Sequence, residues 1–134
     1  MTTCVVKACP VVIRDGHILA FHHPLAGDQI VKGTVEQGEA PSDAAIRELK
    51  EEAGVTGQII GLLGESDGIV PGQCWHFFLC TAHDLAENWR HFCHDDGGHW
   101  FVFYWHPLSG PPEEDFQPPF RHALDHIRAR IGAI

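Results

Sequence analysis

Glu48, Glu51 and Glu52 stand three and four residues apart in the run Arg47-Glu48-Leu49-Lys50-Glu51-Glu52-Ala53-Gly54-Val55. At about 100° per residue they share roughly a 100° arc of a helix, beside an arc holding Ala45, Ile46, Leu49 and Ala53. Like charges at these spacings repel by roughly 0.2–0.5 kcal/mol per pair. Glu51 and Glu52 also occupy the last turn before the stop at Gly54, where the helix dipole disfavours anions by roughly 0.3–1 kcal/mol more. A hard divalent cation offsets these costs, since Mg²⁺ takes oxygen ligands from a few carboxylates together with substrate phosphates. The chemistry that suits such a cluster is hydrolysis of a diphosphate linkage. There, crowded negative charge repels an attacking hydroxide until cations cover the phosphate oxygens and a positioned water is activated.

The acidic run closes a longer pattern that opens at Gly33 and passes through Glu39: Gly-x5-Glu-x7-Arg-Glu-U-x-Glu-Glu-x-Gly-U, with U aliphatic. At every specified position between Gly33 and Val55 it resembles the signature of Nudix hydrolases. The resemblance implies an α+β fold, a Nudix-type α/β/α sandwich around a mixed sheet in which the signature forms a loop–helix–loop. It also implies Mg²⁺, or Mn²⁺ in its place, ligated by Glu48, Glu51 and Glu52. A backbone carbonyl at Lys32 or Gly33 joins them. Glu48 is the leading residue for polarising the water. Arg47 orients the acids by pairing with glutamates, Glu39 among them, so the catalytic set is Glu48, Glu51, Glu52 and Arg47.

The segment Lys32-Gly33-Thr34-Val35-Glu36-Gln37-Gly38-Glu39 is similar to one common in Nudix enzymes acting on dinucleoside polyphosphates. Lys32 and Glu39 are therefore taken as substrate-side residues, with Lys32 placed to hold a phosphate. Ile30-Val31 stands where many relatives have Leu-Pro, which keeps nucleoside triphosphates and nucleotide sugars open as substrates. The expected activity is metal-dependent cleavage of a diphosphate bond in a nucleoside diphosphate linked to another moiety. The alternatives are a non-catalytic nucleotide-binding module and, further off, an isoprenoid diphosphate isomerase. Some relatives recruit one more acid from a loop; Asp95 and Asp96 are candidates, with Glu65 and Glu87 behind them, but all four equally suit turns or solvated surface.

Strands and helices must position these groups. Thr3–Ile13 is rich in Val and Ile, Asp15-Gly16 is a hairpin signal, and His17–His22 continues as the partner strand. Pro10 interrupts the first strand and predicts an edge or a bulge. Leu25–Gly38 reads as a loop leading to a helix over Pro41–Ala53, with Pro41 at the first helical position and Ala40 a poor cap. Thr56–Gly64 and Gln73–Thr81 read as strands across the turn-rich 65–72. Trp100–Trp105 is apolar on both faces and predicts a central strand covered on each side. A proline-rich connection follows Pro107. Leu124, Ile127 and Ile131 then mark a helix over Phe120–Ile131 that packs on the sheet.

Composition narrows the functional classes. A chain of 134 residues with 44% hydrophobic content suits one domain over 1–134. The formal charge of −9 argues against nucleic acid as a partner, because that binding depends on Lys and Arg at the phosphates. A small anionic nucleotide is then recruited through metal. No apolar run reaches membrane-spanning length and the N-terminus lacks a leader pattern, so no membrane partner and a cytoplasmic location are expected. The five cysteines form no paired framework and read as reduced thiols. Around His91, Cys93, His94 and His99 the ligand spacings do not follow those of structural zinc. Many Nudix relatives are homodimers, and a homodimer is compatible with this chain. Trp75, Trp89, Trp100 and Trp105 are candidates for nucleobase stacking against the commoner reading of core aromatics.

Overall fold

The computed structural model describes residues 4–110 and 114–132. Thr3, at the expected start of the first strand, and Pro111 and Pro112 of the proline-rich connection lie outside these residues. β1 (Val5–Arg14) and β2 (His17–His23) form a hairpin through Asp15 and Gly16, whose φ values of 50° and 75° fit the tight turn that strand twist favours. β3 (Gly27–Gln29) and β4 (Gly33–Thr34) follow, then α1 (Pro41–Ala53), β5 (Gln58–Ser66), β6 (Gln73–Thr81), β7 (Trp89–Cys93), a 3-10 turn at Asp95–Gly97, β8 (His99–Pro107) and α2 (Pro118–Ile131).

The strands form one sheet in the order β5-β6-β1-β2-β8-β7, with β3 paired to β2 and β4 to β1. The β1–β6 ladder is parallel and the others antiparallel, so the sheet is mixed. Alternating side chains divide the core between its two faces. Ala8, Val12, Leu19, Phe21, Phe78 and Phe103 pack with Ala45, Leu49 and Ala53 of α1. Cys9, Val11, Ile18, Ala20, Trp75 and Phe77 pack with Phe120, Leu124 and Ile127 of α2. The result is the expected α+β arrangement, a sheet between two helices.

The position of the acid helix depends on an opening in this sheet. β1 and β2 pair only at Ile13↔Ile18 and Arg14↔His17, then part. β3 takes the freed edge of β2 at Phe21–His23, and β4 takes that of β1 at Lys7–Ala8. The residues between, Ile30 and Val31, are buried and plug the opening toward opposite faces, Ile30 on the α2 side and Val31 on the α1 side. The Cys9 thiol donates to the Val31 carbonyl at 3.1 Å.

Four expectations change here. The loop expected over Leu25–Gly38 contains β3 and β4, strands too short to show a period. β7 falls where no element is expected. Pro10 lies neither on an edge strand nor in a bulge of the β1–β6 ladder, where it sits opposite Phe78. Val5 donates its amide to Gly72, so odd-numbered residues of β1 turn their N–H groups to β6 and even-numbered ones to the opening. Pro10 has none to offer, and it lies where β1 has no partner on that side. Finally, β8 is covered fully on one face and only in part on the other, where Tyr104 packs on the α2-side core. Phe101 and Phe103 are buried beneath α1, but Trp100 and Val102, on the partly covered face, are 51% and 42% exposed.

Because Ile30 fills the opening from one side, Ile30→Ala is expected to cost about 2–5 kcal/mol, measured as a lower urea midpoint with an unchanged slope.

Candidate active site

α1 begins without a side-chain cap, at Ala40, with Pro41 in its first turn, and ends at Gly54 in the left-handed conformation with φ 72°. The amides of Gly54 and Val55 donate to the carbonyls of Lys50 and Leu49. Two of the three carbonyls beyond are met by β7: Trp89 Nε1 donates to Ala53 O at 3.0 Å and His91 Nε2 to Glu51 O at 3.1 Å. The acidic last turn is thus clamped to the strand whose continuation carries Asp95.

Within α1, Glu48 and Glu52 are buried, at 7% and 9% exposure, while Glu51 is half-exposed. Arg47 spends all five guanidinium N–H groups on fixed partners. Nε and Nη2 grip the two oxygens of Glu39 at 2.8 and 2.9 Å; Nη1 reaches Glu48 at 2.8 Å and Glu51 at 3.2 Å; and Nη2 also donates to Thr34 O at 3.1 Å. Both oxygens of Glu39 are taken up by this grip, one of them also accepting the Glu36 amide. These bonds hold its carboxyl down at about 2, and Arg47 is held firmly protonated by the same contacts.

Gly33 faces Glu48 so closely that a methyl group there would overlap the Glu48 carboxyl carbon. The position requires glycine for space rather than for backbone conformation. Lys32, Gly33, Arg47 and the three glutamates line one cavity of about 540 Å³. Glu39 stands outside it, behind Arg47. Four residues outside the expected set also line it: Lys7, whose Nζ donates to Thr34 Oγ1 at 2.6 Å, Thr34 itself, Glu36, and Asp95, which the sequence offered only as a candidate further acid. None of the four tryptophans does. Trp75 is core, Trp89 stacks on Phe103 at 5.2 Å, Trp105 lies under the Arg14 guanidinium, and Trp100 sits beside Arg90.

Oxygens of Glu48, Glu51 and Asp95 lie within 4.8 Å of one another. Glu52 Oε2 is buried with no hydrogen-bond partner, and an orphaned carboxylate oxygen is costly unless a cation or proton meets it. Burial, and then the neighbouring Glu48 charge, push the Glu52 carboxyl well above its ordinary range. Burial raises Glu48 too, against the hydrogen bonds from Glu52 and Arg47 that lower it. An all-oxygen set short of positive charge fits a hard divalent cation.

The NUDIX domain family model matches residues 5–129. The chain belongs to the Nudix family. This Nudix chain resembles an ADP-ribose pyrophosphatase from Streptococcus suis 89-1591, with TM-score 0.76 and 14% identity over 98% of this chain and 92% of that one. A UDP-X diphosphatase superposes with TM-score 0.74 and 12% identity, over 99% of this chain and 65% of that one. A MutT NUDIX hydrolase from Burkholderia pseudomallei gives TM-score 0.64 and 23% identity over 93% and 98%. None of the curated proteins matches by sequence. As a Nudix hydrolase the chain is a pyrophosphohydrolase, acting on acid anhydrides in a family that needs divalent metal.

Two outcomes follow from this packing. Gly33→Ala is expected to displace Glu48 and weaken Mg²⁺ binding by on the order of 10-fold, read by calorimetry, with the helical circular dichroism unchanged. A carboxyl held above its ordinary 4.5 contributes stability at low pH that is lost as pH rises through the raised value. His106 and His126, lowered by burial, act in the opposite sense, so the loss is read against Glu52→Gln: from about pH 5.5 to about pH 8 the metal-free wild type should lose more melting temperature, or gain less, than that variant, and Mg²⁺ should remove most of the difference.

Proposed function

We propose that this chain is a Mg²⁺- or Mn²⁺-dependent hydrolase that cleaves a diphosphate bond in a nucleoside diphosphate linked to another moiety: a nucleoside triphosphate, a dinucleoside polyphosphate or a nucleotide sugar. The observation that carries this reading is the cluster of Glu48, Glu51 and Asp95 oxygens beside the orphaned, buried Glu52 oxygen, in a cavity that also holds lysines. A metal bound there supplies Lewis-acid charge on the phosphate oxygens and lowers the pKa of a ligated water.

Glu48, Glu51 and Glu52 hold that metal, with Gly33 contributing its backbone and Asp95 a fourth carboxylate from the far side. Glu48 takes the proton from water. The water's hydroxyl oxygen then bonds to one phosphorus, the bridging oxygen departs with the other phosphoryl group, and the proton passes from Glu48 to solvent. Arg47 acts through the acids it orients, since it has no N–H left for substrate. Glu39 acts through Arg47, not by touching the nucleotide. Lys32 lies on the substrate side, its Nζ 5.6 Å from the Trp75 ring centroid and 5.7 Å from that of Phe120.

The test is a phosphate-release screen with Mg²⁺ or Mn²⁺ over nucleoside triphosphates, dinucleoside polyphosphates, nucleotide sugars and ADP-ribose, the last being the compound named in one fold neighbour. Glu51→Gln and Glu52→Gln are each expected to lower kcat by on the order of 100-fold or more, with the fold retained and the metal-free melting temperature unchanged or raised. Activity that survives both changes at saturating Mg²⁺ refutes the site. Tight nucleotide binding with no turnover of any compound supports the non-catalytic module instead.

A further inference from the structure

The positive charge around the acid cluster is unusually placed. The chain has three lysines, Lys7, Lys32 and Lys50, against a formal charge of −9. Two of them line the acid cavity, and Lys50 lines the adjoining one, which shares Glu51 and Asp95. Arg47, the other cation there, has every N–H committed to the protein. It can stabilise acids but has no donor for a phosphate oxygen.

Lys7 and Lys32 are held differently. Among the described residues neither is ion-paired to a carboxylate within 4 Å. The partner of Lys7 is the neutral Thr34 hydroxyl, at 2.6 Å; the Lys32 ammonium lies over the Trp75 and Phe120 rings. A hydroxyl and ring faces fix a cation in place without cancelling its charge. Lys7 retains two N–H donors after the bond to Thr34. Its backbone is fixed as well, by the pairing of Lys7–Ala8 with Gly33–Thr34, so the ammonium stands beside the residue that packs on Glu48. Partial burial, and then nearness to Lys32, lower the Lys7 pKa, and Glu48 acts on it in the opposite sense; Lys32 and Glu48 are both within electrostatic reach.

We infer that Lys7 is a substrate-positioning residue, binding non-bridging oxygens of the phosphate chain together with Lys32, and that the pair favours a chain of three or more phosphates over a two-phosphate linkage. This deepens the hydrolase reading and rests on the same cavity. A triphosphate spans both ammonium groups while its metal-bound portion stays on the carboxylates; a diphosphate linked to a sugar engages fewer of these donors.

The test needs no turnover at its first stage. Inorganic tripolyphosphate and pyrophosphate are titrated calorimetrically, with saturating Mg²⁺, into the wild-type protein, Lys7→Met and Lys7→Arg. Lys7→Met should weaken tripolyphosphate binding about 10-fold or more and pyrophosphate binding less, with unchanged melting temperature and unchanged affinity for Mg²⁺ alone. Lys7→Arg, which keeps the charge, should recover most of the loss. At the second stage, Lys7→Met should raise KM for a nucleoside triphosphate far more than for a nucleotide sugar, with little change in kcat. Equal losses for the two probes, no gain from arginine, an equal loss of Mg²⁺ affinity, or a wild-type protein that fails to bind tripolyphosphate each overturn the inference. Tripolyphosphate binding that depends on Lys7 without hydrolysis of any nucleotide upholds it and counts against the hydrolase reading alone.

Discussion

One guanidinium holds together what would otherwise come apart. Arg47 joins Glu39, Glu48 and Glu51 with the Thr34 carbonyl, so a loop, a helix and a two-residue strand meet at a single planar group. Its fork geometry lets it serve several carboxylates in fixed directions, which a lysine at that position would not do. The bonds neutralise part of the acid cluster but leave Glu52 out. That buried oxygen is the residual cost, and it is a cost a divalent cation removes on binding. Apo protein and loaded protein therefore differ in stability at the same atoms that differ in chemistry.

The far end of α1 shows the complementary device. Carbonyls that a helix terminus leaves bare are closed by Gly54, Val55, Trp89 and His91. Two of these donors come from β7, so the helix carrying the acids and the strand leading to Asp95 are fastened at that end. Asp95 enters the cluster through this fastening and not through sequence proximity.

How far the sequence could be read follows from the range of each interaction. The positions of Gly33, Glu39, Arg47 and the three glutamates are set by spacing along one loop and one helix, and that spacing is visible in the chain. Lys7 and Asp95 reach the same cavity through strand pairings to distant segments, which no local pattern encodes. β3 and β4 are too short to carry a period. The run Trp100–Trp105 states that its residues are apolar without stating how far the α2-side core extends, which takes in Tyr104 and leaves Trp100 and Val102 exposed. Pro10 predicts an edge or a bulge because a missing donor is usually tolerated only where no neighbour needs it. The structure meets that condition inside the sheet, by parting two strands.

That parting bears on how the chain finds its fold. A hairpin such as β1–β2 closes locally within microseconds, long before β1 can find β6 from the far side of α1. Closing it further would join Pro10 to Phe21 and fill the space that Ile30 and Val31 occupy. Pro10 has no N–H to give such a longer ladder, so the parted strands leave no donor of its own unmet at the opening. The seat of Ile30 and Val31, and with it the approach of Gly33 to Glu48, thus lies beside a proline that the acid cavity never touches.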